Sequence, residues 1–217
     1  MDARTVPGVI LAGGQSRRMG GGDKPLRLLA GRPLVGHIVD RLAPQCAPLA
    51  INANGDPSRY AAFALPVVSD GTPDAGPLGG VLAALDWAAD QHGQSGLDQA
   101  GPVLTVPGDC PFLPADLVER LSAHMRKTGA KIVCATSLDR RHPLTALWSS
   151  TLRDDLRDAV EREGMRRVGD WAARHHAETV PWEANPLDPF FNANTPQDLE
   201  QAEVLYARGA AAQRSTA

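Results

Sequence analysis

The chain has 217 residues, of which 43% are hydrophobic and 22% charged, fractions that are ordinary for a globular protein with one core. The formal net charge of −3 excludes the broad basic face that nucleic acids require, so we expect no nucleic-acid partner and only local anion sites. Apolar runs fall far short of the roughly 18 residues of a membrane span, so we expect no membrane partner. The 3 cysteines are widely spaced and include no CxxC pair, which favours a cytoplasmic location.

Short apolar strands alternate with helical segments over the first two-thirds of the chain. The strand runs are too short for helices, and the helical segments repeat apolar residues at three- and four-residue spacing. The predicted strands are Val6–Ala12, Pro48–Asn52, Leu65–Ser69, Pro102–Val106 and Lys131–Ala135, and the predicted helices are Pro33–Leu42, Leu78–Ala89 and Pro114–Met125. This alternation predicts an α/β fold, a mostly parallel central sheet flanked by helices.

The pattern changes from about residue 139. The polar stretch Gln91–Gly101 predicts a loop, and Thr195 is the expected N-cap of the last helix. The later predicted elements are a strand at Pro143–Trp148, helices at Leu152–Arg162 and Gly169–His176, a strand at Thr179–Trp182 and a helix at Thr195–Ala207. We therefore expect a single domain over residues 1–208 and a flexible tail over 209–217.

A glycine-rich, basic stretch follows the first predicted strand, with the sequence Leu11-Ala12-Gly13-Gly14-Gln15-Ser16-Arg17-Arg18-Met19-Gly20-Gly21-Gly22-Asp23-Lys24-Pro25. Glycines let backbone N–H groups approach an anion, and three basic side chains stand against one acidic side chain. This composition favours a polyphosphate site, although a surface loop with solvated basic residues is the alternative. The stretch contains neither GK[ST] nor the usual G-x-G-x-x-G register, which counts against an ATPase or a dehydrogenase.

Polar residues also follow the other predicted strands. Asp109 lies beyond the fourth strand, where it either binds a metal or caps a turn. Asp70 and Asn52 end earlier strands and either contact a nucleotide or form turns. The segment Gly76-Pro77-Leu78-Gly79-Gly80 starts a helix, and it is either an anion site or only a rigid start.

These segments resemble the signature of nucleotidyltransferases with the sugar-nucleotide pyrophosphorylase fold. Within that superfamily the chain is most similar to the molybdenum cofactor guanylyltransferases, from residue 6 to about residue 205. Besides the stretch after the first strand, the resemblance is carried by Asn52-Ala53-Asn54, Ser69-Asp70, Gly76-Pro77-Leu78-Gly79-Gly80, Pro107-Gly108-Asp109-Cys110-Pro111-Phe112, Arg141-His142-Pro143 and Phe191-Asn192-Ala193-Asn194-Thr195-Pro196.

The resemblance implies a Rossmann-like nucleotidyltransferase fold that transfers GMP from GTP to the terminal phosphate of molybdopterin. It implies Mg²⁺ as cofactor, held by Asp109, with no second carboxylate beyond the weak candidate Asp188. The residues then expected in catalysis are Arg17, Lys24 and Asp109, and those expected to bind GTP are Leu11, Ala12, Gly13, Gly14, Lys24, Asn52, Asp70, Gly79 and Asp109. Residues 139–208 would bind the acceptor.

The acceptor site is the least defined part of this hypothesis. Alternation along a strand would turn Asn192 and Asn194 to one face, where they would hold the acceptor, and capping of the last helix is the alternative. Arg141 could receive the acceptor phosphate, with His142 adjacent to the site or structural and not catalytic. Cytidylyl transfer from CTP and a non-catalytic cofactor carrier are the competing functions. We expect a monomer, with molybdenum-insertion or molybdoenzyme maturation proteins as possible partners.

Overall fold

The computed structural model describes residues 6–13, 23–72, 74–95, 101–185 and 187–215, with positions 92–95 and 209–215 described by their backbone alone. Gly14 and Arg17 of the predicted site, and the neighbouring Arg18, lie outside the described residues. Across the described part of the chain, none of the helices is both long and apolar enough to cross a membrane.

A seven-stranded sheet forms the centre of the molecule. Its strands are β1 (Gly8–Leu11), β4 (Leu49–Asn52), β5 (Val67–Val68), β6 (Val103–Pro107), β7 (Ile132–Ser137), β8 (Arg140–Trp148) and β9 (Glu178–Pro181). They lie in the order β5-β4-β1-β6-β8-β7-β9. Parallel pairing joins β1 to β4 and β6, β4 to β5, and β7 to β9, whereas β8 runs antiparallel to β6 and β7. The predicted mostly parallel α/β sheet is therefore confirmed.

Helices cover both faces of the sheet, because side chains on alternate strand positions point to opposite faces. One buried cluster joins Ile10 and Ile51 of the strands to α1 (Leu34–Leu42) and α3 (Leu117–Thr128). The other joins Val9 to α2 (Pro77–Ser95) and to two later helices, α4 (Arg153–Glu161) and α5 (Val168–Arg174). The central strands β1, β4, β6 and β7 are buried on both faces over nearly all of their length, which explains their continuous apolar runs.

A third, smaller cluster attaches the last helix, α6 (Pro196–Ser215), to a short hairpin of β2 (Leu28–Leu29) and β3 (Arg32–Pro33). Leu29, Phe112 and Ala202 are buried together there, and the backbone N–H of Ala30 donates to Glu203 Oε1 at 2.7 Å. This hairpin is too short to be predicted from the spacing of apolar residues. Its contact with α6 brings the C-terminal part of the chain against the segment that contains Lys24.

Most predicted elements are present with shifted ends, but two predictions fail at helix ends. The predicted loop Gln91–Gly101 is helical up to Ser95, since two glutamines favour a helix and one glycine costs only about 1 kcal/mol. The last helix runs to Ser215 instead of ending at Ala207 as predicted, and the flexibility expected for residues 209–217 stays a prediction. The residue at which a helix ends depends on free-energy differences of about this size, and the spacing of apolar residues does not reveal them.

Candidate active site

A cleft of about 760 Å³ opens at the carboxyl ends of β1, β4 and β6. Parallel strands place their carboxyl ends at one edge, so residues that follow them meet there. Of the described residues expected to bind GTP, only Gly79 is missing from the cleft wall, and Asn194 of the expected acceptor site also lines it. The described lining consists of Leu11, Ala12, Gly13, Lys24, Pro25, Asn52, Asn54, Asp70, Asp74, Ala75, Gly76, Pro77, Gly80, Pro107, Gly108, Asp109, Leu144, Asn194 and Thr195.

The floor of the cleft is fixed by the strand register. Leu11 pairs with Asn52 on one side and with Pro107 on the other. The Gly108 N–H donates to the carbonyl of Leu11 at 2.9 Å. A Cβ at Gly108 would lie 2.9 Å from the Pro25 side chain and 3.1 Å from the Leu11 carbonyl oxygen, so only glycine fits without a shift. This close approach brings the next residue, Asp109, to the Lys24 segment.

Lys24, Asp109 and Asn194 form the charged centre of the cleft. The Lys24 ammonium donates to Asp109 Oδ2 and to Asn194 Oδ1. The Lys24 and Asp109 side chains are only 18% and 13% exposed, so water screens their charges incompletely. The three residues come from distant parts of the sequence, and the fold brings them together.

The opposite wall is a hydrogen-bonded group of amides and a carboxylate. Asp70 Oδ1 accepts from Asn52 Nδ2 and Asp70 Oδ2 accepts from Asn54 Nδ2, both at 2.8 Å. The Asp70 N–H also donates to Asn54 Oδ1 at 2.9 Å. The Asp70 carboxylate is therefore held as a fixed acceptor beside the cleft. No role was predicted for Asn54, although its position two residues after Asn52 could have indicated a second amide on the same side of the cleft.

The glycines at the start of α2 differ in their places. Gly80 lines the cleft, and a Cβ there would lie 2.7 Å from Asn52 Oδ1. Gly79, which we expected to bind GTP, lies behind Asp70, with its Cβ position 3.6 Å from the Asp70 Cγ. Neighbouring helical positions point in different directions, so of these two glycines Gly80 lines the cleft and Gly79 does not.

The C-terminal wall of the cleft is not a strand, contrary to the expected alternation at Asn192 and Asn194. Residues 191–194 are irregular, and only Asn194 lines the cleft. The Ala193 N–H donates to the Asp109 carbonyl at 3.0 Å, and the Cys110 thiol donates to Asn192 Oδ1 at 2.6 Å. Asn192 therefore fixes the segment from behind, and Asn194 faces Lys24.

Capping of the last helix fixes the same segment at its other end. Asp198 Oδ2 accepts from the backbone N–H groups of Asn194 and Thr195, at 2.9 and 2.8 Å. Thr195 Oγ1 accepts from the Asp198 N–H at 3.1 Å, as predicted for an N-cap. Asn194 is thus held between the cap and the cleft.

Arg141 and His142 of the expected acceptor site lie on β8 but do not line the described cleft. The β8 residue that lines it is Leu144. Arg141 is exposed. His142 Nε2 is hydrogen-bonded to Ser137 Oγ at 2.8 Å, and Ser137 Oγ donates to Asp188 Oδ1 at 2.7 Å. Burial lowers the pKa of His142, an effect opposed by the nearby Asp188 charge. Asp188 is thereby engaged with Ser137 and does not line the described cleft, so its metal role stays a weak prediction.

The Cys110 thiol and the side-chain oxygens of Asp109 and Asn194 lie next to the Lys24 ammonium or its partners, and they limit the chemistry of the charged centre. Burial raises the pKa of the Cys110 thiol well above its ordinary value, so this cysteine is no nucleophile. Asp109 and Asn194 both direct an oxygen to one cation, the Lys24 ammonium. Among the described residues no three His, Cys, Asp or Glu side chains cluster as metal ligands. Asp109 is the carboxylate beside Lys24, and a single carboxylate could hold a cation that also binds phosphate and water.

Close relatives in sequence were found by comparison with known proteins. Residues 8–179 match the family model of the MobA-like NTP transferase domain. The molybdenum cofactor guanylyltransferase of Bradyrhizobium sp. strain ORS 278 is 51% identical over 203 residues, covering 93% of each chain. Its counterpart from Rhodopseudomonas palustris strain BisB5 is 50% identical over 210 residues, covering 95% of this chain and 97% of that protein.

Solved structures share the fold. Molybdopterin-guanine dinucleotide biosynthesis protein A from Archaeoglobus fulgidus aligns with a TM-score of 0.71 at 22% identity, covering 94% of this chain and all of that one (100%). A CMP:2-keto-3-deoxy-manno-octonic acid synthetase complexed with CTP aligns with a TM-score of 0.66 at 16% identity, covering 95% and 99%. These likenesses confirm the predicted nucleotidyltransferase fold. The sequence matches go further, since relatives about half identical over nearly the whole length show that the chain belongs to the family of molybdenum cofactor guanylyltransferases, with a MobA-like NTP transferase domain.

Proposed function

We propose that the chain is a Mg²⁺-dependent enzyme that transfers GMP from GTP to the terminal phosphate of molybdopterin. The products are the guanine dinucleotide form of the cofactor and pyrophosphate. The observation that carries the proposal is the Lys24 ammonium held by Asp109 and Asn194 in a cleft at the strand ends. The family supplies the chemistry that this centre fits, because its relatives are named guanylyltransferases of the molybdenum cofactor.

Charge neutralisation is the main task of such a transfer. An anionic acceptor phosphate must reach an α-phosphorus that already carries negative oxygens, and pyrophosphate must leave. Fixed positive groups in a partly buried cleft lower this barrier more than solvated ones do. Lys24 supplies such a charge at the boundary between two walls. One is the C-terminal wall, and the other is the nucleotide wall, which the strand-end residues Asn52, Asn54, Asp70 and Asp109 form. The two oxygen partners of Lys24 hold it in place before substrate binds.

The nucleotide wall supplies groups that hold the base or the ribose. Asp70 is an acceptor fixed by two amides, and the backbone of Leu11, Ala12 and Gly13 lies on the floor next to it. These groups already line the cleft and are held by hydrogen bonds, so binding a nucleotide should cost little conformational entropy of the protein. Arg17 and Gly14 complete the phosphate side in this proposal.

Asp109 would hold the Mg²⁺, because Lys24 donates to Oδ2 of this carboxylate and not to Oδ1. A single carboxylate fits, because Mg²⁺ retains water molecules and binds substrate phosphates directly. When bound, Mg²⁺ would neutralise phosphate charge and stabilise the leaving pyrophosphate. The residues around it need no general base, since the attacking phosphate is already ionised near neutral pH.

The acceptor side is proposed on Asn194 and the segment behind it. Asn194 lies between Lys24 and the cap formed by Asp198, so an acceptor phosphate bound there would meet the charged centre. Asn192 is assigned a supporting role through its bond with Cys110. Arg141 lies on the exposed part of β8 and would contact a more distant part of the acceptor.

The test is a product assay with molybdopterin and each nucleoside triphosphate, with Mg²⁺ or with a chelator. We expect the guanine dinucleotide and pyrophosphate in equal amounts, only with GTP and only with the metal, as resolved by mass spectrometry. Transfer of CMP at an equal or higher rate would overturn the guanylyl assignment in favour of the cytidylyl alternative. Tight GTP binding without any product would favour the cofactor carrier.

A further inference from the structure

Arg59 joins the two sides of the nucleotide-binding cleft from outside its wall. It lies in a 3-10 helix, Pro57–Phe63, that follows β4. Its Nε donates to the Asp56 carbonyl at 2.8 Å, one terminal nitrogen donates to Asp23 Oδ2, and the other donates to the Asn54 carbonyl. One guanidinium therefore connects the segment of Lys24 with the segment of Asn54.

The Asp23 end of this bridge leads directly to the charged centre. Asp23 is the N-cap of the short helix Lys24–Leu26, a position where an Asp side chain usually accepts from the helix backbone. Within the described residues its carboxylate makes no such bond and pairs with Arg59 instead. The next residue, Lys24, carries the ammonium that contacts Asp109 and Asn194. Holding Asp23 therefore fixes where the Lys24 side chain starts.

The Asn54 end leads to the opposite wall. Arg59 binds the main-chain carbonyl of Asn54, while the Asn54 side chain makes two hydrogen bonds to Asp70. Moving the Asn54 backbone would move both of these bonds. The Asp70 carboxylate is thus held through Asn54, and Asn54 is held in part by Arg59.

The base of Arg59 is rigid. The next residue, Tyr60, is fully buried in the core cluster, so the short helix cannot move without opening the core. Asp56 caps the same helix by accepting from the Ser58 N–H at 2.9 Å and from Ser58 Oγ at 2.7 Å. These hydrogen bonds, with a smaller effect from the Arg59 charge, lower the pKa of Asp56, so its cap is intact at neutral pH.

We propose that Arg59 is a positioning residue for the nucleotide, which sets the distance between the Lys24 ammonium and the Asp70 carboxylate. The idea rests on the proposed function, in that Lys24 and Asp70 are taken to contact the triphosphate and the nucleoside. Arginine suits this role because its planar guanidinium binds acceptors in fixed, diverging directions, which a lysine cannot do. Its hydrogen bonds go to Asp56, Asp23 and Asn54, which lie outside the proposed acceptor segment, so GTP binding should change more than acceptor binding.

The experiment compares wild type with Arg59→Gln in two measurements. Binding of a fluorescent GTP analogue is measured without acceptor, and KM values for GTP and molybdopterin are measured in the transfer assay. We expect Arg59→Gln to raise the dissociation constant and the KM for GTP about 10-fold, since misplacement of binding groups by a fraction of an ångström has effects of this order. The KM for molybdopterin should rise much less than the KM for GTP. Arg174→Gln, which breaks an exposed pair with Glu163, is the matched control and should change neither value.

A double-mutant cycle distinguishes positioning from a general loss of stability. If Arg59 acts through Asp23, then Asp23→Asn weakens GTP binding by a similar factor, and the double variant is no weaker than the weaker single variant. Additive losses, equal increases of both KM values, or unchanged GTP binding in folded Arg59→Gln would each overturn the inference. A wild type that binds GTP but transfers nothing would overturn the proposed function and leave this inference standing. Asp23→Asn also covers the case in which Arg59→Gln does not fold.

Discussion

The two walls of the cleft are built on different physical principles. On the nucleotide wall, Asn52 and Asp109 follow or end parallel strands, and ladder hydrogen bonds fix their height at the sheet edge. On the C-terminal wall, Asn192 and Asn194 lie in an irregular segment that is held by single contacts to Asp109, Cys110 and Asp198. The first wall is therefore robust to local change, and the second depends on each of a few bonds.

Asp109 belongs to both walls, so its loss should have the largest effect. Asp109→Ala removes the partner of Lys24 and the carboxylate proposed to hold Mg²⁺, and we expect turnover to fall about 10³-fold, equivalent to several kcal/mol of transition-state stabilisation. GTP binding should be retained in part, because the Asn52–Asp70 wall is untouched. Turnover and GTP binding are measured on the same preparation. Asp40→Ala, which removes an exposed carboxylate paired with Arg32, is the control, and unchanged turnover in Asp109→Ala would refute the assignment.

A methyl group at Gly80 tests the nucleotide wall next. Because the added Cβ of Gly80→Ala would lie 2.7 Å from Asn52 Oδ1, the Asn52–Asp70 pair must shift. We expect the KM for GTP to rise about 10-fold, less than the roughly 100-fold loss that a full 1 Å misplacement can cause, with little change in the KM for molybdopterin. The control is Gly169→Ala, where a Cβ would meet no atom within 4 Å. A variant with normal GTP kinetics would show that Asn52 does not contact the nucleotide.

Asp198 tests the C-terminal wall. Asp198→Ala removes the acceptor for the Asn194 and Thr195 N–H groups, which should cost about 1 kcal/mol of cap stability and loosen Asn194. We expect the KM for molybdopterin to rise about 5-fold, the kinetic equivalent of that free energy, and the KM for GTP to rise less. Asp198→Asn keeps a side-chain oxygen and should preserve most of the wild-type value. If the KM for GTP rose more than the KM for molybdopterin, Asn194 would belong to the nucleotide wall instead.

The smallest expected effect is on the free energy of unfolding and comes from Asp155, which does not line the cleft. Burial would raise the pKa of Asp155, but hydrogen bonds from His175 and Trp171 and the charges of His175 and Arg174 together hold it below its ordinary value. A lowered folded-state pKa adds stability above the unfolded value near 3.8, which is lost as the pH falls through the folded value.

Because Asp155 is half exposed, its contribution is about 1 kcal/mol or less. Urea unfolding of wild type and Asp155→Asn should therefore differ near neutral pH and converge in strong acid. A difference that grows with acidity would contradict the sign of the shift. The rate of GMP transfer should be the same in wild type and Asp155→Asn, because Asp155 lies in neither wall of the cleft.

Strand-end residues were predictable, and residues fixed by long-range contacts were not. Asp70, Asn52 and Asp109 were placed at one sheet edge because a parallel sheet leaves them no other position. Asn192 and Asn194 were assigned a strand, but a buried thiol and a helix cap decide their directions instead. Gly79 and Gly80 could not be told apart, since their roles depend on which one faces Asn52. Arg59 carried no signal at all, because its partner Asp23 is 36 residues away.

The sequence by itself determined the alternation of strands and helices, the edge at which polar residues collect and the resemblance that names the family, since these follow from short-range spacing and motif identity. The tertiary structure alone decided that Lys24 meets Asp109 and Asn194, which are 85 and 170 residues further along the chain. The physical reason is that an ion pair in a folded protein depends on where packing of the core places each backbone segment. Such packing is a sum over many distant contacts and leaves no local pattern at either residue.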